Sequence, residues 1–89
     1  MELKIKKFGE MLISRPEGRD AALVIQNQFI QNLQNEKIIL DFEGVKVLTP
    51  SWLDEVIQVI LQKTTKDKII FLHTTNASVS ASIETVIAE

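Results

Sequence analysis

Leu3, Ile5 and Phe8 alternate with lysines, which predicts a strand over residues 2–8 with one apolar face. Gly9-Glu10 can turn the chain, and Met11-Leu12-Ile13 reads as a short second strand, so the two are expected to form a hairpin. Alternation then sets Lys4 and Lys6 on the solvent side of an edge strand. Ser14-x-x-Glu17 has the form of a capping box, with Pro16 in the first turn. Ala22, Ile25, Phe29 and Leu33 follow at helical spacing and predict one apolar stripe on a helix over residues 15–34.

Residues 38–42 and 69–72 are apolar with little alternation, the pattern of parallel strands buried on both faces. Leu53, Val56, Ile57, Ile60 and Leu61 lie between them at helical spacing, so the middle of the chain is a β-α-β unit. Asn76 can cap a last helix, with Val79, Ile83, Val86 and Ile87 as its stripe and Ser78, Ser80 and Ser82 on the other side. The order β-β-α-β-α-β-α predicts a small α/β sandwich, a mostly parallel sheet with helices packed on it, as a single domain over residues 1–89.

Composition narrows the function classes. The chain has 89 residues, 45% hydrophobic and 25% charged, which is globular rather than disordered. The net charge is −2, and the only basic cluster is Lys4, Lys6 and Lys7, so no nucleic-acid partner is expected. Without cysteine there are no disulfides, thiolate zinc sites or thiol catalysis. No segment has the apolar length of a signal peptide or a membrane span, and a soluble cytoplasmic protein is expected, as a monomer or weak dimer.

Catalytic signatures are missing. Neither GxGxxG nor GxxxxGK[ST] occurs, and the single histidine, His73, reads as a polar residue at a strand end. Asp41 has only Glu43 near it in sequence, short of the acidic cluster that holds a magnesium ion. No catalytic residue, metal or cofactor is therefore assigned.

The start of the second helix is the candidate site. Thr49 can be its N-cap with Pro50 at N1, which leaves the Ser51 hydroxyl free. Alternatively Ser51 is the N-cap and Asp54 completes a box. Proline suits N1 so well that the first scheme is preferred. A helix start carries partial positive charge and tolerates a phosphate, so Ser51 is a candidate phosphoacceptor. Asp54 and Glu55, one turn on, would add to the negative field that repels a partner. Trp52 is either a core anchor or, exposed beside Ser51, a binding hot spot. Arg15 and Arg19 share a helix face, as a solvated basic edge or as a contact for an anion or carboxylate. Gly18 between them permits close backbone approach.

The segment IILDFEGVKVLTPSWLDEVI resembles the strand–turn–helix of STAS domains, the superfamily of bacterial anti-sigma-factor antagonists. Asp41, Gly44, Val45, Leu48, Ser51 and Leu53 match its pattern, and Ser51 falls on the serine phosphorylated in the antagonists. Ser14-Arg15, Asp41-Phe42 and Asp54-Glu55 are similar to a shorter, uncharacterised STAS-like group. Thr49, Pro50 and Trp52 depart from the superfamily pattern. The resemblance implies a non-enzymatic regulatory module that binds a histidine-kinase-like ATPase, often a serine kinase or anti-sigma factor. Binding would use Thr49, Pro50, Ser51, Trp52, Asp54, Glu55, Arg15 and Arg19, and phosphorylation of Ser51 would break the complex. The alternatives are an unphosphorylated scaffold or subunit using the same surface, or a small-ligand sensor at the strand ends near Phe42, Glu43 and His73.

Overall fold

Parallel pairing organises the chain. β1 (Glu2–Lys4), β3 (Ile38–Asp41) and β5 (Ile69–Leu72) form a parallel sheet in the order β1-β3-β5. β2 (Met11–Leu12) and β4 (Val47–Leu48) form a second, two-stranded parallel sheet. Three helices accompany them: α1 (Arg15–Val24), α2 (Pro50–Ile60) and α3 (Ala77–Ile87). The computed structural model describes residues 1–88. It bears out the α/β class and the mostly parallel sheet.

The expected hairpin does not form. A 3-10 turn over Ile5–Phe8 ends β1 after three residues, and Gly9 takes φ 129°, a conformation natural only to glycine. β1 and β2 each pair instead with a strand from the segment that follows α1. β4 was not legible as a strand, because it is two residues long and follows a turn in which Gly44 has φ 84°.

The first helix is shorter than its apolar stripe predicts. Ser14 caps it: the Ser14 hydroxyl accepts the Glu17 N–H (3.2 Å) and donates to the Glu17 carboxylate (2.8 Å). The return bond of the box thus goes to the hydroxyl, not to the Ser14 backbone N–H. After Val24 the helix widens into a π turn, Ile25–Phe29, where the Ile30 N–H reaches back five residues to the Ile25 carbonyl (3.1 Å). The wider turn moves the stripe on by one residue. Ile30 is fully buried and Phe29 only partly so, and Leu33 is buried beyond the helix end.

β3 and β5 are not covered on both faces. Leu3, Leu40 and Phe71 are in register on one face, with Leu3 and Leu40 in the core and Phe71 packed against it. On the other face Ile39 is half-buried, and Ile70 and Leu72 are 36% and 37% exposed. The missing alternation therefore reflects an apolar but open face.

α3 starts where expected, with the Asn76 side chain accepting the N–H groups of Ser78 (2.7 Å) and Val79 (3.2 Å). Its serines correct the sequence reading, for Ser82 is buried and Ser78 half-buried. The Ser78 hydroxyl accepts the Leu48 N–H (3.0 Å), and the Ser82 hydroxyl donates to the Leu48 carbonyl (2.6 Å). Two side chains one turn apart thus satisfy the outer edge of β4 as a neighbouring strand would. Among the described residues no helix is long and apolar enough to cross a membrane.

Candidate functional site

Thr49 is the N-cap of α2 and Pro50 its N1 residue, as the preferred scheme expected. The Thr49 hydroxyl accepts the Trp52 N–H (3.4 Å) and can donate to the Ile13 carbonyl (3.0 Å). The Thr49 N–H bonds the Leu12 carbonyl (3.0 Å). One residue thus ties the helix start to the end of β2. Ser51 sits at N2, half-buried, and among the described residues no hydrogen bond engages its hydroxyl. Pro50 beside it is exposed.

Trp52 is 1% exposed, so it is a core anchor and not a surface contact. Its ring lies tilted against Phe8, with centroids 6.1 Å apart. Gly18 of α1 sits directly on its backbone: a Cβ at residue 18 would fall 2.6 Å from the Trp52 carbonyl oxygen. The close approach expected of this glycine is therefore to α2.

Arg15 and Arg19 find carboxylates within the chain. Arg15 Nη1 lies 3.2 Å from Asp54 and 2.5 Å from Glu55, and Arg19 Nε lies 3.3 Å from Glu55. The Glu55 and Asp54 carboxylates hold the Arg15 guanidinium above its ordinary pKa. Of the two readings of this arginine face, the carboxylate contact is the one present, and it is made within the chain. Asp54 and Glu55 add less negative field beside Ser51 than expected, because their charge is matched across the α1–α2 contact. Burial removes only Trp52 from the expected contact set: Pro50, Arg15 and Arg19 are exposed, and Thr49, Ser51, Asp54 and Glu55 are half-buried.

Residues not singled out from the sequence complete this surface. Met11 is 60% exposed and Ile13 49% exposed, and Ile13 follows the strand that Thr49 bonds. The alternation of Met11, Leu12 and Ile13, with Leu12 inward, was the signal that could have found them.

A second cluster lies at the C-terminal ends of β3 and β5. His73 Nδ1 is 2.6 Å from the buried Asp41 carboxylate, His73 Nε2 is 3.7 Å from Glu43, and Lys4 Nζ is 3.5 Å from Asp41. The Asp41 side chain also accepts the Glu43 N–H (3.0 Å). That N–H, then His73 and Lys4, hold Asp41 below the usual carboxylate range. The bond to Asp41 and its charge raise the His73 pKa. His73 has φ 58°, a costly conformation for a side-chain-bearing residue. Sequence reading left both residues without partners. Parallel register was the missing signal, since Asp41 aligns with Leu72, the neighbour of His73.

This pair makes stability depend on pH. A raised histidine stabilises the fold fully below the unfolded value of about 6.5 and less as pH rises through the folded value. A lowered aspartate stabilises it above about pH 3.9 and less as pH falls through its folded value. Wild type should therefore be more resistant to urea at pH 5.5 than at pH 8.5. His73→Gln should flatten that difference; an unchanged slope in the variant would show that the dyad is not its source.

Among the described residues no group of three or more His, Cys, Asp or Glu side chains is placed to hold a metal ion. Phe29 lines both a cleft of about 310 Å³ and one of about 530 Å³. Neither is lined by Phe42, Glu43 or His73, where the ligand-sensor alternative requires a pocket.

No curated protein and no solved structure matches the chain. A family model described as "STAS-like domain of unknown function (DUF4325)" matches residues 20–79, which include the second half of α1, all of β3, β4, α2 and β5, and the capped start of α3. With most of its length under that match, the chain belongs to this STAS-like family.

Proposed function

We propose that the domain is a non-enzymatic regulatory module that binds a protein partner through the start of α2, with Ser51 as a phosphoacceptor. The carrying observation is the position of Ser51: at N2, only half-buried, its hydroxyl uncommitted because Thr49 takes the capping role. A phosphate there meets the positive end of the α2 dipole, so the fold tolerates it while the surface changes sign. Met11, Ile13 and Pro50 supply apolar contact around it. The family likeness favours a histidine-kinase-like ATPase with serine kinase or anti-sigma activity as the partner.

The test compares wild type, Ser51→Ala and Ser51→Asp as baits in native-host lysate with ATP, followed by intact mass. Wild type and the alanine variant should hold an ATPase that the aspartate variant loses, and only wild type should gain a phosphate. Equal capture by all three without added mass would reject the switch. It would favour the second reading, an unregulated scaffold. The ion pairing of Asp54 and Glu55 supports that reading, because it leaves less charge for a phosphate to reinforce.

A further inference from the structure

β5 is an edge strand whose outward backbone groups, the Ile69 N–H apart, have no hydrogen-bond partner among the described residues. The Phe42 N–H bonds the Leu72 carbonyl (3.0 Å), so the Leu72 backbone points at β3. Alternation gives Ile70 the same direction and sends the backbone groups of Ile69 and Phe71 outward, and the His73 N–H, opposite the Leu72 carbonyl in one peptide plane, points outward too. Among the described residues no other element hydrogen-bonds the Phe71 N–H or carbonyl. The strand Ile-Ile-Phe-Leu has neither charge nor proline, the usual means of blunting an edge. Ile70 and Leu72 stand exposed on the open face, next to Ile39.

We propose that β5 is a homodimer interface, in which two copies pair β5 antiparallel about a two-fold axis at Phe71. Two three-stranded sheets then join into one. Self-complementarity selects a second copy as the occupant. In this register Phe71 faces Phe71, and the two exchange both backbone hydrogen bonds. Ile69 faces His73 of the second copy, whose N–H reaches the Ile69 carbonyl. The Ile69 N–H is already bonded to the Lys66 carbonyl, so a register centred on Ile70 makes fewer bonds. Ile70 faces Leu72 of the second copy on the open face, where non-hydrogen-bonded pairs bring side chains closest. β5 itself carries no charged residue, so no like charges meet within the paired strands. The two open apolar patches become one covered strip, which adds apolar burial to that of the single chain. The proposal is independent of the Ser51 reading, because none of these residues belongs to the α2 surface.

The chain has no cysteine, so introduced thiols report cleanly. Non-hydrogen-bonded antiparallel pairs place Cα atoms about 4.5 Å apart, within the range of a disulfide. An equimolar mixture of Ile70→Cys and Leu72→Cys chains should cross-link severalfold faster under mild oxidation than either variant alone. Sedimentation equilibrium of wild type should show a monomer–dimer equilibrium. Leu72→Lys should abolish it while keeping a native circular dichroism spectrum, since the side chain is exposed. Three results would each overturn the proposal: a wild-type monomer up to millimolar concentration, faster cross-linking by one variant alone, or a dimer indifferent to Leu72→Lys. The first would leave the edge free for a strand from a different protein.

Discussion

Leu40→Asp is expected to unfold the domain. Leu40 is fully buried at the centre of β3, flanked in register by Leu3 and Phe71. An aspartate there would carry its charge into the layer between sheet and helices with no cation or donor in reach. An uncompensated buried charge costs several kcal/mol, against a total stability of about 5–15 kcal/mol for a typical domain. The next residue is the natural control. Asp41 is also buried, but it has the Glu43 N–H, His73 and Lys4 around its carboxylate. The same side chain, moved by one residue, goes from satisfied to orphaned. Circular dichroism and urea titration measure the outcome, and Leu40→Met separates charge from shape. A native spectrum with a cooperative transition for Leu40→Asp would mean that Leu40 is not at the centre of the core.

Gly18→Ala is expected to destabilise the domain although alanine is the better helix former. In an exposed helix interior the exchange gains about 1 kcal/mol. Here the new Cβ would meet Trp52 backbone atoms at 2.6 and 2.8 Å, and backbone cannot swing aside as a side chain can. Helices α1 and α2 must separate, and overpacking of this kind costs about 1–3 kcal/mol. The separation would lift Trp52 and draw Arg15 away from Asp54 and Glu55. Trp52 is the only tryptophan, so its emission should shift to the red as the urea midpoint falls. A raised midpoint with unchanged emission would show that the α1–α2 contact yields freely. Gly18→Val, with a larger and β-branched side chain, should lose more stability than Gly18→Ala.

What was legible in the sequence followed from local chemistry. Ser14, Thr49 and Asn76 each marked a helix start, because a cap is decided within a few residues of chain. Leu53, Val56, Ile57 and Ile60 marked the buried side of α2 in the same way. What was missed depended on partners distant in sequence. The choice between a hairpin and two parallel pairs rests on whether β1 meets β2 or β3, and apolar alternation is the same in either case. The π turn leaves no periodic trace before its stripe has slipped from Phe29 to Ile30. Apolar runs cannot say whether a second layer covers them, so Ile70 and Leu72 read as interior. At the site, the position of Ser51 could be read from Thr49-Pro50, a local matter. The pairing of Arg15 and Arg19 with Glu55 across two helices, and of Asp41 with His73 across two strands, could not.

The serine pair on α3 has a consequence for the site. Ser78 and Ser82 hold the backbone of Leu48, and Leu48 immediately precedes Thr49, the cap on which Ser51 depends. If α3 detached, it would leave the Leu48 amide and carbonyl bare and free the peptide that sets the first turn of α2. These parts therefore form one cooperative opening unit, even though they lie some thirty residues apart in the chain. By linkage, any molecule that grips the start of α2 tightens α3, and anything that draws α3 away loosens that grip by the same factor. A control input could thus act on the far end of the chain and never touch Ser51.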